Sequence, residues 1–139
     1  MKLERDFPVE RGRDEIVAAL RDDRVLADLL PDTRIEAGKG GARETFTRYN
    51  ALGQDRELHM IFHTEESGDL RFEKVCDGAV WRSLDGRIEL EALEATVTNV
   101  RIAMEGRTKP LVPEVTIRGT MESQLDQMVD SLQKSLANS

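Results

Sequence analysis

The sequence predicts an α+β protein: a curved antiparallel β-sheet of about seven strands wrapped around a long C-terminal helix, with two short helices after the first strand. Three observations predict it. The chain opens on one strand-like alternation, with Leu3, Arg5, Phe7 and Val9 against Lys2, Glu4, Asp6 and Pro8. From Thr33 to about Glu105 the apolar residues recur with period two, and Gly- and Asp-rich turns separate the runs. From Ile117 onward the period becomes helical, through Met121, Leu125, Met128, Leu132 and Leu136.

Each element has its own signals. Gly12 ends the first strand, and Asp14 to Arg21 reads as a short helix with Ile16, Val17 and Leu20 on one side. Asp22 or Asp23 caps a second helix through Val25, Leu26, Leu29 and Leu30, which Pro31 stops. A short strand, Thr33 to Ala37, turns at Gly38–Gly41 into Arg43 to Asn50. Gly53-Gln54-Asp55 leads to Arg56–Glu65, where Leu58, Met60, Phe62 and Thr64 share a face. Ser67-Gly68-Asp69 leads into Leu70–Cys76. Asp77-Gly78 and Asp85-Gly86 both read as tight turns between strands. Ile88, Leu90 and Ala92 alternate with Arg87, Glu89 and Glu91, and a last strand covers about Thr96 to Glu105. Short turns between so many strands mean an antiparallel meander, since parallel neighbours need long crossovers. The final helix is expected from Pro113 to about Ala137, roughly 37 Å at 1.5 Å per residue, with Gly119 as its weak point.

Composition narrows the class of partner. At 139 residues the chain is expected to form one domain, 1–139. A formal charge of −7 argues against nucleic acid, whose binding is driven by basic residues that release counterions. One cysteine, Cys76, allows no internal disulfide and suits a reducing compartment. No apolar stretch approaches the roughly 20 residues that cross a bilayer, and the first residues lack the apolar core of a signal peptide. A cytoplasmic location is the expectation.

The first thirty-five residues carry a resemblance. Phe7-Pro8-Val9, then Asp14-Glu15-Ile16-Val17 with Leu20, then Leu29-Leu30-Pro31-Asp32 resemble the opening of the helix-grip superfamily. That group includes START lipid-transfer domains and birch-pollen-allergen-like proteins (the SRPBCC proteins). Nearest in wording are its bacterial members similar to polyketide cyclases and to the G-type subunit of carbon monoxide dehydrogenase. Asp32 stands where those members usually carry glycine. The resemblance implies a fold and a class of apolar ligand. The superfamily has no universal catalytic motif, so it implies no reaction.

The candidate site residues are those expected to face a space between sheet and helix: Tyr49, Met60, Phe62, Phe72, Trp81, Met104, Met121 and Leu125. Thioethers adapt to varied apolar shapes, although such stripes are ordinarily core. Tyr49 and Trp81 each add a polar group to an apolar body. Arg48 and Lys74 would point inward if Phe46 and Phe72 do, and a buried cation would then need an acid or an anionic head group. Arg48 and Tyr49 cannot both face inward in a regular strand.

Other candidates lose to plainer readings. His59 and His63 share a strand face but stand roughly 13 Å apart, too far for one ion, and alternate against apolar residues, which puts them outside. Cys76 beside Asp77 reads as an inert thiol. Gly38-Lys39-Gly40-Gly41 lacks the ending of a phosphate loop. No metal, no cofactor and no catalytic residue is expected. The leading function is a non-enzymatic binding or carrier protein for an apolar or amphipathic small molecule or lipid. The alternatives are an interaction module with a filled core and, third, a cyclase- or hydrolase-like enzyme. An open sheet edge also offers a surface on which two copies could pair.

Overall fold

The computed structural model describes residues 1–51 and 53–137, so Leu52, Asn138 and Ser139 of the expected domain lie outside the described residues. In chain order the elements are β1 (Lys2–Val9), α1 (Arg13–Leu20), α2 (Asp23–Ala27), β2 (Thr33–Ala37), β3 (Arg43–Ala51), β4 (Gln54–Thr64), β5 (Leu70–Lys74), β6 (Trp81–Glu94), β7 (Val97–Thr108) and α3 (Glu114–Ala137). The seven strands form one sheet in the order β1-β7-β6-β5-β4-β3-β2, and every pair is antiparallel. β2 to β7 meander, and β1 closes the far edge beside β7. That pairing brings the N-terminal strand alongside α3.

α3 follows β1 along its whole length. The Met1 amino group lies 3.8 Å from the Glu114 carboxylate, Arg5 Nε donates to Asp126 at 3.1 Å, and Arg11 Nη1 donates to the Leu136 carbonyl at 3.0 Å. The helix turns Met121, Leu125, Met128, Leu132 and Leu136 onto the concave face, all essentially buried. Apolar burial drives this packing, at about 1.5–3 kcal/mol for each large side chain. Gly119 lies inside the helix, and a Cβ there would meet open space, so its only cost is conformational.

Several boundaries differ from the periodicity; the last strand, for example, runs to Thr108 and not to Glu105. α2 stops at Ala27, where the Asp28 N–H turns back to the Arg24 carbonyl, and Leu29 and Leu30 are buried in the turn beyond it. The strand from Leu70 ends at Lys74 rather than Cys76. Asp85-Gly86 is no turn: β6 runs straight through it, with Gly86 paired to Phe72 on one side and Met104 on the other. The glycine is there because the ring of Phe72 lies across it, and a Cβ would overlap Phe72 Cζ and come within 2.6 Å of the Ala103 carbonyl. The real reversal, between Glu94 and Val97, contains neither glycine nor proline.

Asp32 explains the glycine usual at its position. Its φ is +54°, and among the described residues no other non-glycine residue has a positive φ. A short polar side chain tolerates the left-handed region, and glycine does so without cost. The turn is held by Arg48 N–H to the Asp32 carbonyl at 3.0 Å and by Thr33 Oγ1 to the Leu30 carbonyl at 2.9 Å. Asp32→Gly is expected to raise stability by about 0.5–1 kcal/mol. Asp32→Val should lower it, and chemical denaturation of the two variants checks both signs.

Candidate functional site

The register sorts the side chains of the sheet into two populations. The convex face is charged. One cross-strand row carries Glu36, Glu44, Ile61, Glu73, Asp85, Glu105 and Lys2. His59 and His63 lie on this face, as expected, but half-buried: His59 Nε2 is 2.6 Å from Glu44 Oε1, and His63 Nε2 is 3.3 Å from Glu73 Oε1. Phe46 is on this face too. It stacks on His59 with ring centroids 4.3 Å apart, and the Arg34 guanidinium sits 4.3 Å over its ring. Arg101 pairs with Glu4 here at 2.5 Å, and that hydrogen bond and charge raise its pKa above the ordinary guanidinium value. Among the described residues no group of three His, Cys, Asp or Glu is placed to hold a metal ion.

The concave face is built from rows of small and apolar groups. Arg43, Phe62, Phe72, Gly86, Met104 and Leu3 form one row across β3, β4, β5, β6, β7 and β1. The next row toward the hairpin tip is Ile35, Thr45, Met60 and Lys74, and the one after it is Thr33, Thr47 and Leu58. Phe62 and Phe72 pack at a centroid distance of 5.3 Å. Met60, Phe62, Phe72, Met104, Met121 and Leu125 are therefore brought together in the main core, none more than 3% exposed.

The other two candidates stand at one end of this face. Tyr49 has concave parity, yet it lies where the β3–β4 hairpin runs past the core and is 44% exposed. Trp81, half-buried, lies over Gly106, where a Cβ would come within 2.5 Å of its Cζ3. The parity question raised by the sequence is settled here: Phe46 and Arg48 face outward, and Tyr49 has the inward register. Lys74 does have concave parity, and its Nζ donates to the Val75 carbonyl at 3.0 Å. Cys76, half-buried, lies with Sγ 3.5 Å from the Lys74 carbonyl.

By register, the β3–β4 hairpin tip, residues 75–80 and residues 109–113 all lie at this end. The last two segments are tied together by Lys109 N–H to the Val80 carbonyl at 2.8 Å. Leu111 and Val115 are 96% and 81% exposed beside them. A cleft of about 600 Å³ lies at the opposite end, between α1, α2 and the last turn of α3. Its lining mixes Asp22, Arg24, Asp28 and Lys134.

Thr45 is a buried polar residue of this face that the sequence reading did not single out. It is 2% exposed, and its Oγ1 has no hydrogen-bond partner among the described residues. The alternation Arg43, Thr45, Thr47, Tyr49 marks the inner face of β3; the sequence offers Tyr49 from this face and, by the parity of Phe46, Arg48 from the other, and leaves the choice between them open.

Comparison with known proteins finds no matching family model and no matching curated protein. Solved structures do match. The Zhui aromatase/cyclase from a Streptomyces species superposes with a TM-score of 0.75 at 12% identity, covering 99% of this chain and 91% of that one. Norcoclaurine synthase from Thalictrum flavum gives 0.77 at 15% identity, covering 100% and 87%. A START superfamily protein from Mycobacterium smegmatis gives 0.73 at 11% identity, covering 97% and 96%. With seven antiparallel strands curled against a C-terminal helix and two short helices after the first strand, the chain has the helix-grip fold of the START and birch-pollen-allergen-like superfamily.

Proposed function

We propose that this chain is a non-enzymatic binding or carrier protein for an apolar or amphipathic small molecule, held between the concave sheet face and α3. The molecule would enter from the end bearing Tyr49, Trp81 and Leu111 and contact Met60, Phe62, Phe72, Met104, Met121 and Leu125. One observation carries the reading: four methionines, Met60, Met104, Met121 and Met128, meet in the buried core between sheet and helix. Flexible thioethers can rearrange around a guest where branched side chains cannot. The likeness to a norcoclaurine synthase solved with dopamine and hydroxybenzaldehyde supports a small-molecule site on this fold.

By register, the described positions of the concave face carry no histidine, cysteine or carboxylate, and the groups there able to move a proton, Tyr49 and Lys74, stand toward its hairpin end, which favours binding over catalysis. Among the described residues no helix is long and apolar enough to cross a membrane. A second reading, an interaction module with a filled core, is favoured by the burial itself. Phe62, Phe72, Met104, Met121, Leu125 and Met128 each expose under 2% of their surface.

One titration separates the two. Trp81, the single tryptophan, lies at the entrance and can pass excitation energy to bound N-phenyl-1-naphthylamine. Burying about 300 Å² of apolar surface gives at most roughly 7 kcal/mol before ordering costs. The expected result is saturable energy transfer at one probe per chain with a micromolar or weaker Kd. A linear, unsaturable response would reject the carrier and leave the interaction module.

A further inference from the structure

We propose that the ligand is an anionic amphiphile, a carboxylic acid or its like, whose head group lies between the Thr45 hydroxyl and the Lys74 ammonium. The inference rests on the binding reading above and names its ligand class. Thr45 and Thr47 are both buried on the concave face of β3, at 2% and 6% exposure. The fold satisfies Thr47, whose Oγ1 lies 2.6 Å from Thr33 Oγ1. It leaves Thr45 without a partner among the described residues. A buried hydroxyl with nothing to bond is costly, and valine would fill the same place with the same strand preference at no such cost.

Lys74 supplies the second observation. It belongs to the same cross-strand row, with Met60 between it and Thr45. Strands about 4.8 Å apart put the two backbones roughly 10 Å from each other. A lysine stem on one side and a hydroxyl on the other can therefore close on a group above Met60. Of the other cations of concave parity, Arg5 pairs with Asp126 and Arg43 with Asp23. Arg56 stands exposed on the β3–β4 hairpin and donates to Gln54. Among the described residues Lys74 has no carboxylate partner, and its ammonium bonds only to the neighbouring Val75 carbonyl. A carboxylate would accept from both groups, with its tail running over Met60 toward Phe72. A cationic head group would meet the half-buried Lys74 as a like charge, and a neutral one would forgo its charge-assisted hydrogen bond.

Displacement of N-phenyl-1-naphthylamine by decanoate and by decan-1-ol at neutral pH tests this, because the two competitors share a chain and differ in the head. In the wild type, decanoate is expected to displace the probe at a concentration at least tenfold lower than decan-1-ol. Lys74→Met should erase that preference, and Thr45→Val should weaken decanoate several-fold. Decan-1-ol should stay within twofold in both variants, and the melting temperature of Thr45→Val should not fall. An unchanged preference in both variants, with the probe still bound, would overturn the head-group assignment and leave the carrier standing. A lower melting temperature in Thr45→Val with the preference intact would make Thr45 structural and overturn its role here. Failure of the probe, decanoate and decan-1-ol all to bind would overturn the carrier reading and this one with it.

Discussion

Leu125→Ala is expected to cost about 3–4 kcal/mol of stability, and to lower the melting temperature by roughly 10 °C in a chain of this size. Leu125 is fully buried at the middle of α3, in the same core as Phe62, Phe72 and Met104. Truncation loses the transfer energy of the removed carbons and leaves a space that the sheet, tied by hydrogen bonds on every strand, cannot collapse to fill. Gln127, exposed on the same helix, is the control: Gln127→Ala should change stability by under about 0.5 kcal/mol. The variant also speaks to function. A void against the concave face should take up decan-1-ol more tightly, since an apolar hole stays dry and accepts apolar guests. It should leave the preference for decanoate over decan-1-ol intact, because Thr45 and Lys74 are untouched. A loss under about 1 kcal/mol in denaturant unfolding would mean that α3 does not hold the sheet as described.

Much of this arrangement is written in local pattern. Leu58, Met60 and Phe62 alternate against Glu57, His59 and Ile61, and the structure buries the first set and turns the second outward. The stripe from Met121 to Leu136 gives the helix and the face it buries. What pattern does not give is anything decided by a neighbour distant in sequence. Phe46 looks like core, yet it faces outward: two threonines on the opposite parity are buried, and a histidine across the strand offers it a stacking partner. The whole of residues 94–97 turns without a glycine or proline to announce it. The candidate site is legible in the methionines and phenylalanines that stand out in the pattern. Its proposed polar end is not, since an unpartnered hydroxyl is a property of the packed chain and not of a threonine in a strand.

Gly86 shows the same lesson from the other side, and its replacement should have the second large effect. In sequence, Asp85-Gly86 is indistinguishable from a hairpin turn. In the sheet it is a flat place on which the ring of Phe72 rests, with that ring in turn against Phe62. Gly86→Ala is expected to cost about 2–3 kcal/mol, because an added methyl must displace a buried ring from a close-packed core. Phe72→Leu alone should cost about 1–2 kcal/mol, as a truncation of a buried side chain. The two changes should not add. Leucine withdraws the atoms that the new methyl would strike, so the double variant should be more stable than the sum by about 1 kcal/mol. The recovery is partial by construction, since the Ala103 carbonyl, 2.6 Å from the added Cβ, belongs to the backbone of β7 and cannot swing aside. A double-mutant cycle by urea unfolding measures the coupling directly. Additive losses would show that Gly86 is required by the backbone of β6 and not by the ring lying over it.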